Sequence, residues 1–131
     1  MPGTVPFDEL QQFFSAFCSA FPAFNGGLIA ERYAAPYLAL NAEGQLQCFA
    51  TNKDIAAYFQ AHLDRYRAQS CCRCEFSNLE YLSIGSQSVL ATVTWQLLRA
   101  DGALVSCWRE SYNLRRYASG LLIYASTDHV A

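Results

Sequence analysis

Hydrophobic positions in this chain recur every three or four residues in the first half and every second residue in the last half. Residues 5–21 carry Phe7, Leu10, Phe14, Phe17 and Phe21 at helical intervals, with Asp8 and Glu9 in the first turn, where the helix dipole favours acid. Pro22 ends that helix. A second, short helix is expected from about Gly27 to Tyr33, capped by Asn25 or Gly26. Pro36 imposes an extended start on residues 37–40, Asn41-Ala42-Glu43-Gly44 turns the chain, and residues 45–49 return it as a second short strand. Thr51 or Asn52 caps a third helix running to about Ala68, with Ile55, Phe59, His62 and Tyr66 on one stripe and Leu63 beside it. Alternation then takes over in four strands, at residues 72–84, 88–99, 103–117 and 121–130, with turns at Gly85-Ser86, Asp101-Gly102 and Ser119-Gly120. This order predicts an α+β domain, with helices on one face of a curved antiparallel sheet.

The strand pairing can be read in part from the turns. Asp-Gly is a strong signal for a two-residue hairpin, and centring the turn on Asp101-Gly102 sets Trp95 opposite Trp108, Val93 opposite Glu110 and Ala91 opposite Tyr112. Those side chains share one face, while Thr92, Thr94, Gln96, Arg109, Ser111, Asn113 and Arg115 form a polar opposite face. Glu110 is therefore expected on the apolar, aromatic side. In the last hairpin, a two-residue turn at Ser119-Gly120 sets Tyr112 opposite Thr127 and Glu110 opposite His129; a four-residue turn keeps the face, whereas a three-residue turn brings Asp128 inward instead.

Composition narrows the function classes. At 131 residues the chain is expected to form one domain able to bury a core without staples, and its 53% hydrophobic content supports one. A net charge of −2 with no basic run argues against nucleic acid or an anionic membrane as partner, and no apolar run approaches the roughly 20 residues of a membrane span. Met1-Pro2-Gly3-Thr4 lack a basic leader, so a reducing cytoplasm is expected. Cys71, Cys72 and Cys74 are crowded, but no second Cys/His pair accompanies them, so reduced thiols rather than a zinc site are expected. A strand at 72–84 would put Cys72 and Cys74 on one face and Cys71 and Arg73 on the other. No phosphate loop, HExxH motif or activated nucleophile is present, and neither metal nor cofactor is expected.

The element order, with Glu31-Arg32-Tyr33-Ala34 leading into Tyr37-Leu38-Ala39-Leu40-Asn41, then Glu43-Gly44 and a final Thr127-Asp128-His129-Val130, resembles the nuclear transport factor 2-like superfamily, which includes ketosteroid isomerase and the polyketide cyclases. The resemblance covers nearly the whole chain. It implies a cone-shaped, strongly bent antiparallel sheet wrapped around three helices, an internal cavity, and commonly a homodimer through sheet surfaces. It does not imply one reaction, because the fold hosts enzymes, carriers and assembly domains. The position matching the isomerase's catalytic aspartate is Asn41, which cannot take a proton, and residues 5–21 offer no tyrosine for its oxyanion hole, so steroid isomerisation is not expected. His129 matches a histidine frequent near the end of the superfamily's last strand.

The candidate site follows. Glu110 and His129 form a potential acid/base pair, with Tyr33, Asn41, Phe59, His62, Trp95, Trp108, Tyr112 and Thr127 as candidate ligand contacts. Each has a plainer reading: Glu110 as a satisfied core polar group, His62 as a rim histidine, the tryptophans as core, Asn41 as a turn cap. The function expected is binding of a small, largely apolar organic molecule, with cofactor-independent acid/base chemistry on it. The alternative is a noncatalytic assembly or sensing module whose cone is filled by its own side chains.

Overall fold

The computed structural model describes residues 5–129. Helix α1 (Phe7–Ala20) runs into a 3-10 turn (Phe21–Ala23), and α2 (Gly26–Ala30) follows, capped by the Asn25 side chain, which accepts from Gly27 N at 2.9 Å. Strands β1 (Tyr33–Leu40) and β2 (Leu46–Phe49) precede α3 (Asn52–Ala68), whose cap is Thr51, and β3 (Cys71–Ile84), β4 (Ser88–Arg99), β5 (Leu104–Tyr117) and β6 (Gly120–Asp128) complete the chain. Element types agree with the sequence pattern throughout. The last expected strand residue, Val130, and the first four residues lie outside the described residues.

The six strands form one sheet in the order β2-β1-β6-β5-β4-β3. All neighbours are antiparallel except β1 and β6, which run parallel, a pairing that brings the two halves of the chain together. The sheet bends where its ladders slip. Register shifts fall between Ser77 and Glu80 on β3, where Asn78 takes φ +52°, between Leu97 and Leu98 on β4, and between Asn113 and Leu114 on β5. An extra residue on one strand of a pair increases local twist and curls a sheet about its concave face. The concave face holds the core.

Helix α1 fills one end of that concavity. Phe14, wholly buried, sets its ring against Phe76, Trp95 and Tyr112, while Phe17 meets Trp95 and Tyr33. Leu10, Phe17 and Phe21 are buried with it as the periodicity requires, but Phe7 is exposed near the rim beside Tyr81. Helix α3 is different. Ile55 and Leu63 are buried, yet Phe59, His62 and Tyr66 on its predicted stripe are only half-buried, because they face a hollow and not packed side chains.

A slip between Cys71 and Arg73 also corrects the expected cysteine faces: Cys71 and Cys74 are buried and Cys72 half-buried, since the irregularity reverses the alternation. All six thiols are free. None of the described helices is long and apolar enough to cross a membrane.

Helix α2 is held against α3 by close backbone approach. Gly26 N donates to Gln60 Oε1 at 2.7 Å, and Gln60 Nε2 donates to Phe24 O at 3.0 Å, tying the chain before α2 to the middle of α3. A Cβ on Gly26 would lie 2.3 Å from Ala56 O and 2.9 Å from Gln60 N, both backbone atoms that cannot swing aside. Gly26→Ala is therefore expected to cost about 1–3 kcal/mol of stability, measured by urea unfolding; a cost below about 0.5 kcal/mol would show that α2 is not held this closely.

Candidate functional site

Between α3 and the concave face lies a cavity of about 790 Å³, lined by side chains from α1, β1, α3 and β4 to β6. Its wall is mainly aromatic: Tyr33 and Tyr37 from β1, Tyr58, Phe59 and Tyr66 from α3, and Trp95, Trp108 and Tyr112 from the central hairpin. It reaches the surface at the β1–β2 turn, where the lining residues Ala42, Glu43 and Gln45 are exposed, and at Arg65 on α3.

The β4–β5 hairpin places the wall as expected, by a route the sequence did not show. Its loop is residues 100–102, closed by Gly102 N to Arg99 O at 2.9 Å and Arg99 N to Ala103 O at 2.9 Å, with Gly102 at φ +88°. That is one residue longer than the expected two-residue turn, and the slip beyond Leu98 cancels the difference. Trp95 thus lies opposite Trp108, Val93 opposite Glu110 and Ala91 opposite Tyr112. The polar residues face outward as predicted: Thr92 bonds Ser111, and Arg109 donates to Thr94 Oγ1 at 3.0 Å and pairs with Glu80.

The β5–β6 hairpin overturns the expected partner. The turn is Ala118-Ser119, between the paired Tyr117 and Gly120, one residue earlier than expected. The earlier turn alone would move each pairing by two residues, and a slip beyond Leu114 moves it back by one, so Glu110 faces Asp128 and Tyr112 faces Ser126. Because side-chain orientation has period two, one residue reverses every later side chain. Thr127 and His129 are exposed on the outer face, where His129 Nε2 lies 2.7 Å from Ser111 Oγ and His129 N donates to Arg109 O. The proposed Glu110–His129 pair does not form, and neither Thr127 nor His129 lines the cavity. Asp128 and Ser126 take their places.

Glu110 is buried and accepts from Trp108 Nε1 at 2.9 Å, and the Trp108 ring stacks on Tyr66. Burial first, and then the charge of Asp128, push its carboxyl up to about 8, with the Trp108 and Tyr112 donors pulling the other way. Burial also raises Asp128, but Glu110 acting as a proton donor to it favours its ionised form. The two carboxyls therefore titrate as a coupled pair in which Glu110 is pushed towards its protonated form. No salt bridge to either carboxyl exists among the described residues.

Around the pair, hydroxyls are engaged at fixed points. Trp95 Nε1 donates to Tyr112 Oη at 2.7 Å, and Tyr37 Oη bonds Ser126 Oγ at 2.5 Å. Burial raises Tyr33, Tyr37 and Tyr112 above the ordinary phenol range and pushes Tyr58 up to about 12, so all stay neutral hydrogen-bond donors. At the mouth, the Asn41 side chain accepts from Glu43 N at 3.1 Å and Gln45 N at 2.9 Å, the turn-capping role its type suggests. His62 packs its ring on Tyr58 and bonds Arg65, and burial, then that guanidinium, depress its basicity. It sits on the rim, not beside Glu110.

Of the predicted residues, Tyr33, Asn41, Phe59, His62, Trp95, Trp108, Glu110 and Tyr112 all line this one cavity. Tyr37, Tyr58 and Tyr66 were missed as lining residues. Tyr37 shares the parity of Tyr33 on β1, Tyr66 lies on the predicted stripe of α3 and Tyr58 flanks it, so spacing alone carried a signal for each.

A family model for NTF2-like proteins (DUF6841) matches residues 8–130. The chain belongs to this NTF2-like family. A search of curated proteins finds no match. Solved structures share the fold: Aln2 from a Streptomyces species superposes with a TM-score of 0.77 at 17% identity, covering 98% of this chain and 94% of that one. A protein of unknown function with a cystatin-like fold from Nostoc punctiforme gives 0.75 at 10% identity, covering 98% and 95%. A putative calcium/calmodulin-dependent protein kinase II association domain from Xanthomonas campestris gives 0.67 at 16% identity, covering 94% and 86%. At these identities the likeness concerns the NTF2-like fold and not the chemistry inside it.

The carboxyl pair makes stability depend on pH with a definite sign. Glu110 holds its proton when folded up to about 8 but loses it near 4.5 when unfolded, so the folded chain binds more protons in that window. Its stabilising contribution is complete below the lower value and is lost as pH rises through the upper one. Asp128, also raised, acts with the same sign, whereas His62, lowered, acts oppositely below its unfolded value of 6.5. Glu110→Gln removes the Glu110 contribution while keeping an acceptor for Trp108. Urea midpoints from about pH 5 to 8 are expected to fall more steeply for the natural protein, leaving Glu110→Gln the more stable at pH 8; parallel curves would refute the shifted carboxyl.

Proposed function

We propose that this NTF2-like protein binds a small, largely apolar organic molecule in its cone and carries out cofactor-independent acid/base chemistry on it through Glu110 and Asp128. The observation that carries this reading is two carboxyls facing each other at the wall of an aromatic cavity, with no salt bridge to either among the described residues. Such a pair contains an acid and a base at once. The ionised Asp128 can accept a proton from a bound molecule, and the protonated Glu110 can donate to an oxygen or nitrogen on which charge develops. Aromatic walls exclude water, which strengthens both interactions. The cavity itself supports binding over the assembly alternative, since a cone used only as an interaction module needs no hollow of this size inside it.

The outer face supports a second property. Leu82 and Ile84 on β3 and Leu38 and Leu46 around β1 and β2 are exposed on the sheet, away from the cavity, and these apolar positions would be covered in a homodimer formed through sheet surfaces.

Two measurements test the function. Native mass spectrometry of the purified protein is expected to show one small molecule per chain, released on denaturation. Absence of such a molecule, together with no saturable uptake of a neutral apolar dye such as Nile red, would refute the binding reading. For a ligand that is turned over, Asp128→Asn and Glu110→Gln are each expected to lower kcat by about 100-fold or more, while His129→Ala, on the other face, leaves it unchanged. Full turnover in both carboxyl variants would leave binding standing and remove the acid/base role.

A further inference from the structure

The electrostatics of the cavity specify the charge of its occupant. Its inner wall carries two carboxyls and no cationic side chain paired with them among the described residues. No basic side chain forms a salt bridge with Asp128 among the described residues, although the neighbouring His129 favours its ionised form from a distance. His129 turns its ring to Ser111 on the outer face, and Arg65 lies exposed at the mouth, where it engages His62. Glu43, also at the mouth, adds a further negative charge that Asp128 feels. Aromatic rings complete the surroundings of the pair: Trp108 donates to Glu110 through its ring edge, stacks on Tyr66, and shares the lining with Tyr58, Phe59 and Tyr37. The faces of such rings are electron-rich and attract cations, most strongly where water is excluded.

A carboxylate repelled by a second carboxyl and by Glu43, and left without a counter-ion in an aromatic enclosure, is complementary to one kind of group. We infer that the occupant of this cavity carries a protonated amine, seated against Asp128 and Glu110 among the aromatic faces, with an apolar body filling the space between β1 and α3. The inference rests on the binding reading above and narrows its ligand class. An ammonium donates charge-assisted hydrogen bonds to a carboxylate, lies within reach of ring faces, and offsets the repulsion between the two carboxyls. An acidic ligand meets the opposite situation: two carboxyls at the wall and Glu43 at the entrance repel it.

Three isosteres separate these cases: naphthylethylamine, naphthylethanol and naphthylacetate, titrated calorimetrically into the intact protein at neutral pH beside the neutral dye Nile red. The amine is expected to bind at least about tenfold more tightly than the alcohol, and the acid more weakly than the alcohol. The amine-to-alcohol ratio is expected to shrink in Asp128→Asn and to approach one when Glu110→Gln is added. The ratio in the natural protein stands as a test even if the double variant fails to fold. Dye uptake with an amine-to-alcohol ratio near one, or tighter binding of the acid, would overturn the amine assignment and leave the cavity reading intact. Exclusion of the dye and of all three isosteres would overturn both.

Discussion

A carboxyl facing a carboxyl, with aromatic rings around both, is the constraint on which the rest of this site depends. Removing Glu110 from water costs free energy unless the group is neutral or paired, and the described chain supplies it no cation. The cost is met by keeping the proton on Glu110 and by one directed donor, Trp108 Nε1. The remainder falls on the core beneath, where Leu10, Phe14, Val93, Leu114 and Ile123 are packed to near-complete burial. The wall that holds the carboxyls and the plug that carries the stability are thus two layers of one sheet face. Helix α1 serves the second and α3 lines the first.

Irregularities in the strands decide which groups meet. Of the two hairpins that build the wall, each departs from its simplest turn by one residue and each contains one slip. In β4–β5 the two departures cancel and the two tryptophans face one another. In β5–β6 they do not cancel, and the parity of β6 reverses beyond the slip, carrying Ser126 and Asp128 inward and Thr127 and His129 outward. The chemical consequence is large. A Glu110–His129 pair would have set a carboxyl beside an imidazole; the pair that forms is two carboxyls facing each other.

Most of the fold was legible because it depends on patterns many residues long. The three- and four-residue spacing of Phe14, Phe17 and Phe21, the Thr51 cap, and the alternation through residues 88–99 each sum several weak preferences that agree. The face of Glu110 was legible in the alternation on both flanking strands, and the register drawn from Asp101-Gly102 stands because the longer loop and the slip beyond Leu98 cancel. The identity of its partner was not. It hangs on an extra residue near Tyr124 that neither glycine nor proline marks within β5 and β6, although the matching irregularity in β1 spans Pro36. The three-residue turn considered for the last hairpin would have produced the same parity by a different path.

The half-buried stripe of α3 shows how a hollow is kept open without being unstable. Phe59 touches Tyr33 and Tyr37, Tyr58 touches Phe49, and Tyr66 stacks on Trp108, so each of these α3 rings has an aromatic partner on the sheet while the hollow beside them stays open. Such edge contacts between neighbouring rings are worth about 0.5–1.5 kcal/mol each beyond the area they bury. A helix with the same spacing but aliphatic residues would gain most by collapsing into the concavity, because aliphatic groups profit from any contact that removes them from water. Rings with polar tips gain by standing side by side, with the hydroxyls of Tyr37 and Tyr112 held by Ser126 and Trp95. The aromatic content of the chain and the open volume beside Glu110 and Asp128 are therefore one feature: the rings line the wall, and the space between them lies against the paired carboxyls.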